Sequence, residues 1–180
     1  MTLRRIFQIG SLLIVCAKYP SASTLAQDAP SLPGGASSLQ ESYQDWQVAC
    51  RIADATKRCA VSQQQAQQNG RRVLAIELQV GADNAITGNL ILPFGLLLES
   101  GVTLQIDEQE TMAPFAFRTC LPAGCVVPLG LDQASVDALR NGSVLKLIAK
   151  SSDAAQDVAF AISLKGFSAS VDRIKTLTGG

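Results

Sequence analysis

Residues 74–80, LAIELQV, form the clearest segment of alternating side chains in this sequence. The even-numbered positions carry leucine, isoleucine, leucine and valine, whereas the odd-numbered positions carry alanine, glutamate and glutamine. Successive side chains of a strand point to opposite faces of a sheet. This alternation therefore predicts a strand with one face on a core and the other toward water.

The same alternation recurs on both sides of this segment. It is found at residues 46–50, 102–107 and 158–165. Asn69-Gly70 is a strong turn signal between the run that ends near Gln65 and the run that begins at Arg71. Many short strands with turns between them and few helices are typical of an all-β architecture. The sequence predicts a mainly β fold, an antiparallel β-sandwich or barrel-like sheet pair with one or two short helices.

Two segments have helical character. One helix is predicted to follow Asp132, a capping residue, and to end at Asn141-Gly142. A second is predicted from about Ser168 to Lys175. The positions expected to be buried are Val136 and Leu139 in the first helix and Val171 and Ile174 in the second.

Residues 90–98, LILPFGLLL, are apolar throughout but are interrupted by Pro93 and Gly95. The stretch is too short for a membrane helix, and these two residues interrupt helices. We favour two strands joined by a bend and buried on both faces. The alternative is a partly exposed apolar ridge that contacts a partner or lipid.

The N-terminus has the pattern of a secretory signal peptide. A pair of arginines precedes an apolar run over residues 6–17, and Thr24-Leu25-Ala26 supplies a cleavage site of the small-x-small type. Export to the periplasm, or to the outer membrane and cell surface, is therefore predicted. Cys16 lies inside this segment after a valine rather than a small residue, so we interpret it as an apolar signal residue, with lipid anchoring at Cys16 as the alternative.

Cleavage after Ala26 predicts a signal peptide at 1–26, a flexible Ser-, Pro- and Gly-rich leader at 27–42 and a single domain at 43–180. Three of the 15 basic residues lie in the signal peptide, which has no acid, so 12 basic and 15 acidic residues remain and the net charge becomes −3. This balance argues against nucleic acid and against an anionic membrane as partners. No later stretch reaches the ~18 apolar residues of a transmembrane segment.

Four cysteines remain after cleavage: Cys50, Cys59, Cys120 and Cys125. An oxidising compartment makes them candidates for disulfides, and four cysteines allow three pairings. Cys50 ends one predicted strand and Cys59 begins the next, while a Leu-Pro-Ala-Gly turn separates the other two cysteines. This spacing favours Cys50–Cys59 and Cys120–Cys125.

The chain contains no histidine, the usual general base and a common metal ligand. Ser-His-Asp or Cys-His catalysis is therefore impossible within it. The acidic cluster Asp107, Glu108 and Glu110 lacks the spacing of a calcium loop and is interpreted as a hairpin tip. A redox role for Cys120 and Cys125 is a minor alternative. No catalytic, cofactor-binding or metal site is predicted, and the protein is not expected to be an enzyme.

Several segments, taken in order, resemble a known family. They are WQVAC at 46–50, Cys59, RVL at 72–74, LPFGL at 92–96, Gly101-Val102, Ile106-Asp107, FRTC at 117–120, Gly124-Cys125, SLKGF at 163–167 and Ala169. Together they resemble the invasion-associated locus B family of exported bacterial proteins over about residues 43–175. The resemblance implies a non-enzymatic β domain in the periplasm or cell envelope, associated with invasion of host cells.

The predicted function is binding to an envelope or host-surface component, in host-cell invasion or in an interaction within the envelope. The sequence identifies neither this component nor the oligomeric state. The alternative function is a periplasmic carrier of a small ligand or lipid, which would use space between the sheets beneath residues 90–98.

Overall fold

The computed structural model of the protein describes residues 30–70, 72–81 and 85–178. These ranges contain ten strands and two α-helices. The strands are β1 Ser38–Tyr43, β2 Trp46–Ala53, β3 Thr56–Ala66, β4 Arg72–Val80, β5 Ile86–Leu92, β6 Thr103–Ile106, β7 Thr119–Leu121, β8 Gly124–Leu131, β9 Val144–Lys150 and β10 Asp157–Ser163, and the helices are α1 Gln133–Asn141 and α2 Phe167–Thr178.

The strands form two antiparallel sheets. The larger sheet has the order β1-β2-β3-β4-β5-β8-β7, and the smaller has the order β10-β9-β6. The inward-facing side chains of both sheets and of α2 form a single hydrophobic core. The predicted fold class, a mainly β sheet pair with short helices, is therefore confirmed.

The segment at residues 74–80 lies in β4, in the interior of the larger sheet. Leu74, Ile76 and Leu78 are each 1% exposed, whereas Glu77 and Gln79 on the opposite face are exposed. The alternation in the sequence therefore distinguishes the core face of this strand from its solvent face.

Trp46 connects three elements of the fold. Its side chain is 1% exposed, and its indole N–H donates to the main-chain oxygen of Ser163 at the end of β10, at 2.8 Å. Its ring lies 5.0 Å from the ring of Phe167, the first residue of α2, at an interplanar angle of 58°. Tilted aromatic packing at this distance is favourable beyond the burial of area.

Gly166 allows β10 and α2 to pass close to the first hairpin. Its φ is +87°, and a Cβ at this position would collide with the main-chain oxygen of Tyr43. Glycine reaches this conformation at little cost and leaves room for the backbone contact. The SLKGF segment therefore needs glycine at this position for steric reasons.

The larger sheet begins earlier than predicted. Within the expected leader at 27–42, β1 starts at Ser38 and pairs with β2 along its whole length, and Leu32 is 2% exposed in the core. The strand was hidden because polar residues occupy several of its positions, including Glu41, which bonds to α2. This part of the leader prediction is corrected. The predicted signal peptide, Cys16 and residues 27–29 lie outside the described residues.

Both helices occur where the sequence predicts them. The Asp132 carboxylate accepts the N–H of Ser135 at 2.8 Å and caps α1, which ends at Asn141. Helix α2 extends beyond both predicted ends and packs against strands β1 to β4. The four side chains predicted to be buried, Val136, Leu139, Val171 and Ile174, are at most 2% exposed.

Candidate binding site

The four predicted cysteines form two disulfides. Cys50 and Cys59 are register partners in β2 and β3, and Cys120 and Cys125 are register partners in β7 and β8. This is the pairing that the spacing favours. The structure does not bring the two disulfides together into one site: Cys50–Cys59 lies inside the larger sheet, whereas Cys120–Cys125 lies in a hairpin at its edge.

A groove opens beside the β7–β8 hairpin, between the two sheets, and we call it the inter-sheet groove. Its volume is about 850 Å³. Its walls come from the turn of that hairpin, the loop at 93–96, the end of the β3–β4 hairpin and the side chains of Val158 and Phe160 on β10. The disulfide Cys120–Cys125 therefore holds one wall of this groove in place.

The loop at 93–96 presents the largest exposed apolar side chain of the groove. Phe94 is 62% exposed, whereas Leu96 is 7% exposed and anchored in the core. Two hydrogen bonds attach the loop to the end of β9 and to the turn that follows it. Leu97 N–H donates to the main-chain oxygen of Lys150 at 2.8 Å, and Ser152 N–H donates to the main-chain oxygen of Gly95 at 2.9 Å. Phe94 is thus held in solvent by a fixed loop.

The prediction of two buried strands over residues 90–98 is wrong for the part of the stretch beyond Leu92. Leu90 and Leu92 are buried, but β5 ends at Leu92 and no second regular strand follows in this stretch. Pro93 and Gly95, which has a φ of +89°, instead make a loop, and Leu98 beyond it is 42% exposed. The alternative of a partly exposed apolar ridge describes Phe94 and Leu98.

Two glutamines of β3 bond to β10, and one of them, Gln65, also lines the groove. Gln63 donates from Nε2 to the main-chain oxygen of Ser163 at 2.9 Å, and Gln65 donates from Nε2 to that of Ala161 at 2.6 Å. Both acceptors face away from β9, on the outer edge of β10. Nothing in the local sequence around these glutamines indicates a contact almost 100 residues away, and the sequence analysis therefore missed it.

The described residues that line the groove include no ionisable side chain; their polar groups are main-chain atoms and the side chains of Gln64, Gln65 and Gln67. Such a lining offers apolar contact and hydrogen bonds but no general acid or base. The arrangement fits binding of an apolar group flanked by polar ones. Sequence reasoning missed Val158 and Phe160, because alternation indicates their strand but not what it faces.

An ion pair joins α2 to β1, the strand at one margin of the larger sheet. Arg173 of α2 donates from Nε and Nη2 to the two carboxylate oxygens of Glu41 on β1, both at 2.7 Å. The hydrogen bond from Arg173 lowers the pKa of Glu41 below its usual value, while burial raises the pKa of the neighbouring Tyr43. This pair fixes α2 on the sheet edge and takes no part in the groove.

The acidic cluster forms a turn that is bonded to the rest of the chain. The Asp107 carboxylate accepts the N–H of Ser143 at 3.1 Å and that of Val144 at 2.9 Å, and Glu108 pairs with Lys146 at 2.7 Å. Among the residues that the structure describes, no group of three or more histidine, cysteine, aspartate or glutamate side chains is arranged for a metal ion.

Within the described ranges, neither helix has the length and apolar character needed to span a bilayer.

Comparison with known proteins gives consistent matches. A family model described as "Invasion associated locus B (IalB) protein" matches residues 46–175. An "Invasion protein B homolog" of Brucella abortus (strain 2308) is 45% identical over 162 residues, which cover 89% of this chain and 92% of the relative. "Invasion protein B" of Bartonella bacilliformis is 37% identical over 164 residues, covering 89% and 84%.

The fold also matches a solved structure. The crystal structure of invasion associated protein B from Bartonella henselae superposes with a TM-score of 0.74 at 35% identity, covering 78% of this chain and 97% of that one. Identity and coverage at this level extend the likeness from single motifs to the whole β domain.

Proposed function

The chain belongs to the invasion associated locus B family, and from this membership we propose that it is an exported protein of the bacterial envelope that acts by binding rather than by catalysis. The N-terminal pattern of charge, apolar run and small-residue cleavage site supports export. The two disulfides fit an oxidising compartment such as the periplasm or cell surface. The partner is an envelope or host-surface component.

The observation that carries the proposal is Phe94 on its fixed loop beside the inter-sheet groove. An aromatic ring that is 62% exposed gains contact area when a partner covers it. Because hydrogen bonds to β9 and the following turn already hold the loop, little conformational entropy is lost on binding. The uncharged lining of the groove then receives the partner's apolar groups.

The test is Phe94→Ser, with Leu98→Ser as the matched control. Both side chains are exposed and apolar, but Leu98 does not line the groove. We expect Phe94→Ser to reduce entry of bacteria into host cells at least about tenfold, the effect of losing one buried aromatic contact. Leu98→Ser is expected to retain the wild-type level. Thermal unfolding of both purified variants must match the wild type.

The proposal fails if Phe94→Ser enters cells as wild type does while a chain deletion abolishes entry, because the groove would then be irrelevant to the activity. It also fails if deletion leaves attachment and entry unchanged. Equal losses for Phe94→Ser and Leu98→Ser would remove the groove as the site of contact.

A second candidate is a periplasmic carrier of a small ligand or lipid. The volume of the inter-sheet groove, about 850 Å³, lies within the range of small-molecule sites, roughly 300–1,000 Å³. Native mass spectrometry of the protein recovered from bacteria separates the two functions. A bound lipid mass that is lost in Phe94→Ser would favour the carrier, whereas the bare protein mass would favour macromolecular binding.

A further inference from the structure

The outer face of the larger sheet, away from both the core and the inter-sheet groove, carries a shallow depression of about 320 Å³. We call it the arginine depression. The side chains that form it on this face are Ala49, Arg51, Arg58, Ala60, Glu77 and Gln79. It lies on strands β2, β3 and β4 and shares no side chain with the groove.

Two arginines stand side by side in this depression. Arg51 and Arg58 are register partners in β2 and β3, so their Cβ atoms are about 5 Å apart on one face. Like charges directly opposite each other destabilise a strand pair. The next register pair is Cys50 and Cys59, whose disulfide keeps the strands from slipping and so keeps the two positive charges adjacent.

Neither arginine is neutralised within the part of the chain that the structure describes. Arg140 and Arg173 each form an ion pair at 2.7 Å, but Arg51 and Arg58 are exposed and form none there. Glu77, the acid of the depression, makes no ion pair with either of them. The pair of guanidinium groups is therefore available to an anion from outside.

The rest of the depression is suited to a hydroxylated ring. Ala49 and Ala60 are register partners beside the arginines, and their small side chains form the bottom of the depression. Gln79 and Glu77, both exposed on β4, supply an amide and a carboxylate that bond to hydroxyl groups. We propose that the arginine depression binds an acidic saccharide, with Arg51 and Arg58 holding the carboxylate of a uronic acid and β4 contacting the ring hydroxyls.

A saccharide fits better than an anionic membrane. The depression has an alanine floor and no large apolar side chain to insert into lipid, and Glu77 would repel a layer of phosphates. Arginine forks bind carboxylates and phosphates alike, so the choice of a saccharide rests on the small alanine side chains and the neighbouring hydrogen-bonding groups of β4. The site lies on the opposite face from the groove, so this inference goes beyond the proposed function and does not depend on it.

The experiment uses a disaccharide of glucuronic acid linked to glucose as probe and cellobiose, its neutral counterpart, as matched ligand. Backbone amide NMR shifts of the oxidised protein report binding at residues 49–51 and 58–60. We expect the acidic disaccharide to shift these amides and cellobiose to bind about tenfold more weakly, the effect of losing a charge-assisted pair. Arg51→Gln and Arg58→Gln should each weaken the acidic probe about tenfold.

Arg118→Gln is the control, because Arg118 is also exposed but lies outside the depression. Its affinity for the probe should equal that of the wild type. The inference is overturned if the acidic disaccharide shifts none of these amides, if Arg118→Gln weakens binding as much as the other two variants, or if acetate binds as tightly as the disaccharide. The inference is also overturned if the protein binds phosphatidylglycerol vesicles more tightly than the disaccharide and this binding depends on Arg51, because the ligand would then be a membrane.

Discussion

The two disulfide-linked hairpins use the same covalent device in opposite settings. In the β2–β3 hairpin, Cys50–Cys59 joins strands of eight and eleven residues that have neighbours on both sides, and Cys50 is 3% exposed. In the β7–β8 hairpin, Cys120–Cys125 joins a strand of eight residues to an edge strand of three exposed residues. One bond lies within the packed sheet and the other at its margin.

This contrast separates two tasks of a disulfide. In the β2–β3 hairpin, core packing already holds the strands, and the bond fixes the register that places Arg51 beside Arg58. In the β7–β8 hairpin, three exposed residues bury too little surface to hold a strand by packing. The bond there takes the place of a core and maintains one wall of the inter-sheet groove.

Core packing around the β2–β3 hairpin depends most on Trp46. Trp46→Ala should lower the free energy of unfolding by about 3–5 kcal/mol, because it removes a buried ring packed on Phe167. Trp46→Phe, the matched control, should cost less, since it keeps an aromatic ring and Gln63 still donates to the Ser163 oxygen. Urea unfolding followed by circular dichroism measures both.

A Trp46→Ala variant of wild-type stability would show that β2 and α2 are held by something other than this contact. The packing that distinguishes the β2–β3 hairpin from the β7–β8 hairpin would then not come from this ring.

Removing each disulfide in turn compares the two hairpins directly. Replacing both cysteines by alanine should cost about 2.5 kcal/mol for Cys50–Cys59 and about 2 kcal/mol for Cys120–Cys125, from loop separations of nine and five residues. The two variants should differ more in amide hydrogen exchange than in their free energies of unfolding. The first variant should speed exchange throughout the larger sheet, while the second should speed it mainly at residues 119–126.

If the second variant accelerated exchange throughout the core, the β7–β8 hairpin would belong to the same cooperative unit as β2–β3. Reduction of the wild-type protein with dithiothreitol should reproduce the sum of both patterns and serves as the control for the alanine substitutions.

At the other margin of the larger sheet, an ion pair rather than a disulfide joins the edge strand β1 to α2. The pKa of Glu41 is lowered from its usual 4.5, chiefly by the hydrogen bond from Arg173. Its stabilising contribution is therefore present above pH 4.5 and is lost as the pH falls through the lower pKa of the folded state. Glu41→Gln should reduce Tm slightly at neutral pH.

The difference in Tm between wild type and Glu41→Gln should shrink as the pH falls below 4.5, because the wild-type carboxylate then becomes protonated. Glu108→Gln, which removes an exposed ion pair with Lys146, is the control and should change Tm less. A constant difference across this range would mean that the charge of Glu41 contributes nothing to stability.

The sequence predicted those parts of the molecule whose causes are local. Strict alternation located β4, a capping aspartate located α1, and the short spacing between cysteines indicated both disulfides. Sequence patterns failed where the cause is distant. Glu41 of β1 bonds to Arg173, 132 positions away. Phe94 is exposed because the loop after β5 bonds to β9 and to the turn that follows β9. Apolar character alone cannot distinguish a core leucine from an exposed phenylalanine in one continuous run.

The glutamine contacts of β3 have a consequence for behaviour at high concentration. Strand β10 is an edge strand, and an edge with free carbonyl groups can template pairing with a second molecule. The Gln65 amide occupies the Ala161 carbonyl, and Gln63 and the Trp46 indole share that of Ser163, so two main-chain oxygens of this edge are paired without another strand. Substitution of Gln65 would leave the Ala161 carbonyl without this partner, so we expect such a variant to associate at high concentration while it keeps the wild-type fold.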